Sequence, residues 1–150
     1  MISIIQRVTS AKVSVQNKDI GSIQQGILAL IAIEPLDTEK EAQRLLERIL
    51  SYRIFADADD KMNLSLRDIR GGLLIVPQFT LAADTQKGNR PSFTSAASPE
   101  LGLKLFSYFS RQARAGYHSV AFGQFGADMQ VSLVNDGPVT FTLRIPPPII

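Results

Sequence analysis

Gly26-Ile27-Leu28-Ala29-Leu30-Ile31-Ala32-Ile33 is the longest apolar run in the chain, and its reading decides the fold class. A continuous run of this kind, ended by Pro35, is expected of a strand covered on both faces. It is too short to cross a bilayer, which takes about 20 residues as a helix. Gly71-Gly72 introduces a second such segment, Leu73-Leu74-Ile75-Val76. Two strands of this kind need covering layers, and the rest of the sequence supplies them.

Outward from the run, Thr38-Glu39-Lys40-Glu41 spells a capping box. Ala42, Leu45, Leu46, Ile49 and Leu50 follow at helical spacing, with Arg44, Arg48 and Arg53 toward the negative helix end. The spacing predicts an amphipathic helix over about residues 39–51. Ser98-Pro99-Glu100 starts a second helix, with Leu101, Leu105, Tyr108 and Phe109 on one face and Gly116 as its C-terminal cap. Alternating patterns mark strands around Ile2–Arg7 and Val13–Gln16, another from Tyr52 to Phe55, and two at the end, Met129–Leu133 and Val139–Ile145. Asp57-Ala58-Asp59-Asp60 reads as a solvated turn, since the spaced ligands and central Gly of a calcium loop are missing. Residues 1–150 thus read as a single α/β domain in which two main helices cover one sheet face. The Pro-rich tail, residues 146–150, is extended and inert.

Composition removes most catalytic kits. The 150 residues include no Cys and one His. That excludes thiolate nucleophiles, Fe–S clusters, Cys-based zinc sites and any zinc site that takes two His from one chain. His118 is the sole candidate base for a Ser-His pair, and a His at a helix end is more simply a satisfied C-terminal residue. The formal charge of +2 allows contact with RNA but is far from the excess of a protein that binds by phosphate neutralisation alone. The first residues lack the basic-then-apolar order of a secretory signal, so a cytoplasmic protein is expected, with no membrane partner.

Two segments break strand rules. In Pro77-Gln78-Phe79-Thr80-Leu81, Pro77 cannot donate to a ladder. The chain is expected to leave regular pairing there and free the N–H groups of Gln78, Phe79 and Thr80, one way of building an oxyanion hole. Taken alone, an edge strand with a bulge is the simpler reading of the segment. In Asn135-Asp136-Gly137-Pro138-Val139-Thr140, Gly-Pro is a place where a cis peptide is tolerated. It presents two carbonyls and no bulky side chain, so it suits a steric screen, and an ordinary turn is the simpler reading of the residues by themselves.

Together these segments resemble the signatures of the D-aminoacyl-tRNA deacylase family, S-Q-F-T-L and N-x-G-P-V-T. The resemblance extends to Gln6-Arg7-Val8, Arg53-Ile54-Phe55, Lys61-Met62-Asn63, Asp84-Thr85 through Arg90-Pro91-Ser92-Phe93, and Phe125-Gly126-Ala127-Asp128-Met129-Gln130-Val131. It covers nearly the whole chain in order. It implies a fold in β/β/α layers and a homodimer that hydrolyses the ester joining a D-amino acid, or glycine mischarged on tRNA for alanine, to the terminal ribose. It implies that Gly137-Pro138 is cis, enters the partner's pocket and rejects L-amino acids, with Arg7 holding it and Met129 and Asn135 in support. It places backbone N–H groups around Gln78 and Phe79 on the ester carbonyl. Thr80 takes a position once regarded as nucleophile, whereas the favoured view uses the substrate's own ribose 2′-hydroxyl. Lys87 and Arg90 are candidate tRNA contacts. No metal, cofactor or DNA partner is implied.

The sequence departs from the family at Pro77, where Ser is usual. A sister family that edits mischarged alanine has P-Q-A-T-L there, but Phe79 and Val139-Thr140 side with the D-specific group. Two other function classes stay open: a non-catalytic RNA-binding dimer using Lys87 and Arg90, and a small-molecule enzyme built on His118.

Overall fold

The computed structural model describes residues 1–149; the last residue of the predicted tail, Ile150, lies outside them. A long strand β1 (Ile2–Val15) leads into β2 (Lys18–Ile23) and β3 (Gly26–Ala32). Helix α1 (Glu39–Ser51), a small hairpin of β4 (Phe55–Ala56) and β5 (Met62–Leu64), and the single turn α2 (Leu66–Ile69) follow. Strand β6 (Gly72–Pro77) runs into a 3-10 turn (Phe79–Ala82), then come α3 (Pro99–Gly116), β7 (Val120–Phe122) and β8 (Gln130–Arg144).

One sheet of order β2-β1-β3-β6-β7, with β8 added along β1, carries the fold. β3, β6 and β7 run parallel, and β1 is antiparallel to each of its partners. The first half of β1 pairs with β3 and the second half with β2, while β8 follows the whole strand on its other edge. The sheet curls until its ends nearly meet: a Cβ on Gly21 of β2 would stand 2.7 Å from the Phe122 carbonyl oxygen of β7. The expected β/β/α layers are therefore made by one bent sheet rather than separate sheets, because β1 is long enough to serve two neighbours in turn.

The apolar run behaves as its composition requires. Ile27, Ala29 and Ile31 of β3, with Leu73 and Ile75 of β6, face α1 and α3 through Leu45, Ile49, Leu105 and Phe109. Leu28, Leu74 and Val76 face the other way, into a second core with Val8, Val13 and Ile23 inside the curled sheet. Both faces are covered, so both faces are apolar.

The capping box at Thr38 and Glu41 forms, and α1 spans the predicted residues. Ser98 caps α3, with Pro99 in its first turn. Three expectations are corrected. The strand sought from Tyr52 begins at Phe55, because Tyr52 caps α1 through a bond from its N–H to the Arg48 carbonyl. Gly116 is the last helical residue of α3 and Tyr117, in extended geometry, is the cap. The Tyr117 hydroxyl donates to the Leu66 and Gly71 carbonyls, and burial pushes this phenol up from its ordinary value. Finally, the two strands expected at the C-terminus are one, β8, interrupted by a bulge where a turn was expected.

Removing the cap hydroxyl tests how far local chemistry sets the start of α1. Thr38→Ala should lower the unfolding free energy by about 1 kcal/mol, seen as a lower urea midpoint with an unchanged slope. A midpoint equal to the parent's would mean that packing alone fixes the start of α1.

Candidate functional site

The first cluster forms where β6 ends. Pro77 still pairs with Ile31 of β3. Gln78 then turns out of the sheet, and its N–H donates to the Ile31 carbonyl at 2.7 Å. The expectation that the Gln78 N–H is freed is therefore wrong, because the parallel neighbour captures it. Phe79 and Thr80 open the 3-10 turn, whose bonds run from Leu81 to the Gln78 carbonyl and from Ala83 to the Thr80 carbonyl. The N–H groups of Phe79 and Thr80 precede the first of these bonds and have no partner among the described residues. They are the free donors at this strand end. The Gln78 side-chain amide donates to the Thr80 hydroxyl at 2.5 Å, and among the described residues no imidazole or carboxylate bonds to that hydroxyl.

Phe79 stands at a cleft of about 470 Å³ between β6 and the start of α3, with Thr80 the next residue outside its lining, a volume within the range of small-molecule pockets. Gln78, Phe79 and Met129 line it, with Phe106, Phe125 and Asp128. The aromatic rear wall was not singled out from the sequence. One signal was available: Gly102 sits inside a helix, where glycine is costly unless something approaches closely. A Cβ there would stand 3.3 Å from the Phe125 ring.

The second cluster is the bulge in β8. Gln6 pairs with Thr140 and Val8 with Asn135, so four residues, Asp136 to Val139, stand opposite Arg7 alone. The Asn135 side chain ties the base of this loop, accepting from the Val139 N–H at 2.9 Å and donating to the Thr140 hydroxyl at 2.8 Å. That explains why Asn, Val-Thr and Gly-Pro occur at this spacing. Arg7 Nε donates to the Asp136 carbonyl at 2.9 Å, and Nη1 to the Ile54 carbonyl at 2.8 Å. The guanidinium thus joins the loop to the residue before β4. The Gly137–Pro138 peptide is cis. Gly137 has φ +139°, and a Cβ on it would stand 2.6 Å from Val139 Cγ2 and 3.2 Å from Arg7 Nη2. Both residues of the dipeptide are exposed, and neither lines the cleft of its own chain.

The remaining predicted residues lie apart. Lys87 and Arg90 are exposed on the loop between Asp84 and Ser92, which pair with each other. His118 is exposed, stacked beside Tyr117 with Nε2 3.3 Å from the Arg70 carbonyl, and lines no part of the cleft. Among the described residues no group of three His, Asp or Glu side chains is placed to hold a metal, and no helix is long and apolar enough to cross a membrane.

Comparison with known proteins fits this geometry. Residues 4–144 match the family model described as D-Tyr-tRNA(Tyr) deacylase. A D-aminoacyl-tRNA deacylase of Pseudomonas putida is 57% identical over 145 residues, covering 97% of this chain and 100% of that protein. One of Nitrosococcus oceani is 59% identical over 147 residues, with 98% and 95% covered. Among solved structures, one described as a c-Myc DNA unwinding element binding protein superposes with a TM-score of 0.93 at 39% identity, covering 97% of this chain and 99% of the other. A probable eukaryotic D-amino acid tRNA deacylase shares the fold, with a TM-score of 0.82 at 19% identity and 96% and 98% covered. With a family model matched over nearly its whole length and relatives near three-fifths identical, the chain belongs to the D-aminoacyl-tRNA deacylase family.

Proposed function

We propose that this chain is a proofreading esterase that hydrolyses the bond between a D-amino acid, or mischarged glycine, and the terminal ribose of tRNA. The observation that carries the reading is the free N–H group of Phe79 at the cleft, with that of Thr80 next to it in the chain, while the carboxylate in the lining, Asp128, makes no bond to the Thr80 hydroxyl. An aminoacyl ester is already activated, so orientation and two fixed donors supply much of what its hydrolysis needs.

In this scheme the ester carbonyl oxygen lies against the Phe79 and Thr80 N–H groups. Water adds to the carbonyl carbon, and the negative charge that develops on the oxygen is held by those donors. Collapse breaks the bond to the ribose oxygen, which leaves with a proton relayed through the neighbouring ribose hydroxyl. Thr80 is not the nucleophile: its hydroxyl accepts from the Gln78 amide and has no base to activate it.

Selection by hand comes from Gly137-Pro138 of a second copy in a homodimer. The dipeptide is exposed and lies outside its own chain's cleft, so a partner subunit is the natural recipient. A rigid wall that clashes with a substituent on one side of the α-carbon rejects the L-form without needing an attractive contact to the D-form. Glycine carries no substituent and passes. Arg7 and Asn135 hold the wall in shape. Lys87 and Arg90 meet the tRNA backbone, and the cytoplasm is the proposed place of action.

Purified protein should deacylate D-tyrosyl-tRNA and spare L-tyrosyl-tRNA. Equal rates on the two would remove the chiral screen, and tight tRNA binding without turnover would mark a binding module instead. Gly137→Ala forces a side chain at positive φ into Val139 and Arg7, a backbone cost of about 1–3 kcal/mol. Displacing the wall in this way should reduce kcat/KM or the D-to-L ratio on the order of a hundredfold; a variant kinetically equal to the parent would count against the screen. Thr80→Ala should keep activity within about tenfold of the parent, whereas loss of a covalent nucleophile costs on the order of a millionfold. Complete loss in a folded variant would restore a covalent mechanism.

A further inference from the structure

We infer that Phe79 and Phe93 form a stacking platform at the lip of the cleft for an unpaired base of the tRNA acceptor end behind the terminal adenosine, with Lys87 and Arg90 on the loop that leads into Phe93. The inference rests on the deacylase reading and extends it from the ester to the nucleotides behind it.

Large aromatic side chains are seldom left in water without a reason. Phe79 is 59% exposed and Phe93 44% exposed. Their ring centroids are 5.2 Å apart at an interplanar angle of 53°, and neither ring belongs to either hydrophobic core. Each shields part of the other and stays partly exposed. The pair is also held in place. Phe79 starts the 3-10 turn behind β6. Phe93 follows the closure of its loop, where Asp84 and Ser92 exchange backbone bonds of 2.7 and 3.0 Å. The Ser95 hydroxyl then fastens the chain to the Ala82 carbonyl at 2.6 Å.

Charge around the pair suits a polyanion. Lys87 and Arg90 are exposed and form no ion pair among the described residues. The one carboxylate of that loop, Asp84, accepts from the Gln86 N–H. An ester carbonyl at the Phe79 and Thr80 N–H groups puts the terminal ribose at the cleft. A strand that leaves on the Phe79 side of the cleft crosses the lip that carries these rings. Open aromatic faces beside free cations are how single-stranded nucleic acid is held without reading its sequence.

The test compares two substrates: D-tyrosyl-tRNA, and the D-tyrosyl ester of adenosine, which has no nucleotides behind the ribose. For Phe93→Ala, the ratio of kcat/KM on the tRNA to kcat/KM on the nucleoside ester should fall about tenfold, through KM on the tRNA. Phe93→Trp should restore the ratio, because a larger ring stacks as well. Equal losses on both substrates, or no loss on either, would overturn the platform. So would dissociation of a dimeric parent by Phe93→Ala in sedimentation, which would assign the rings to a second copy of the chain. A parent that hydrolyses neither substrate would overturn the deacylase reading, and the platform with it. A parent active on both with an unchanged ratio in Phe93→Ala would overturn the platform alone.

Discussion

Strand β1 has two edges and three partners, and the geometry of the molecule follows from how its backbone groups are satisfied. β3 takes the first half of one edge and β2 the second, so the sheet must bend where one gives way to the other. That bend brings β2 round to β7 and closes the second core behind β3 and β6. β8 occupies the other edge from end to end, and its register breaks widely at Arg7 and by a single residue at Thr9. A ladder that holds on both sides of a gap fixes what is expelled from it. The Gly-Pro loop therefore stands on a rigid base although it has no regular structure of its own. Arg7, left without a strand partner there, spends its donors on the carbonyls of Ile54 and Asp136.

The same economy governs the cleft. A backbone N–H is a strong donor that the fold normally consumes, so a free one needs a place where the ladder stops and a helix begins. The end of β6 is such a place. It offers fewer donors than the sequence suggested, because the parallel strand β3 extends one residue further and takes Gln78. Donors fixed by a strand end and a helical turn need no rearrangement as charge develops on the carbonyl oxygen. A chain with a single His and no Cys can supply such a site in full.

What the sequence revealed was local and periodic. The unbroken run at 26–33 implied two covered faces, and the structure has two. Thr38 and Glu41, like Ser98 and Pro99, marked helix starts by chemistry contained within four residues. What it concealed was non-local. Asn-Asp-Gly-Pro carries every mark of a reversal, yet the partner strand β1 holds both flanks in one direction and converts the turn into a bulge. The fate of the Gln78 N–H depended on Ile31, and the wall of the cleft on Phe106 meeting Phe125, pairs distant in sequence that no local pattern announces. Family resemblance located the two motifs but left open which donors were free.

Pro77, the departure from the family signature, finds its explanation in the same ladder. Alternate residues of a strand direct their N–H groups to opposite edges. Gln78 donates toward β3, so the nitrogen of residue 77 faces the other side, where β7 lies. β7 ends at Phe122, opposite Ile75, and the Gly123 N–H makes the last bond there, to the Ile75 carbonyl. The next bond of that ladder would run from residue 77 to the Gly123 carbonyl; proline has no N–H to make it, and the pairing of β6 with β7 stops there. Its ring instead packs toward the cleft, with Cδ 3.3 Å from where a Cβ on Gly123 would sit. A serine at this position would direct its N–H at the β7 edge, so proline here removes a ladder donor rather than a donor of the cleft. With proline the free donors at this strand end are those of Phe79 and Thr80, which in the proposed scheme are the two that meet the developing oxyanion.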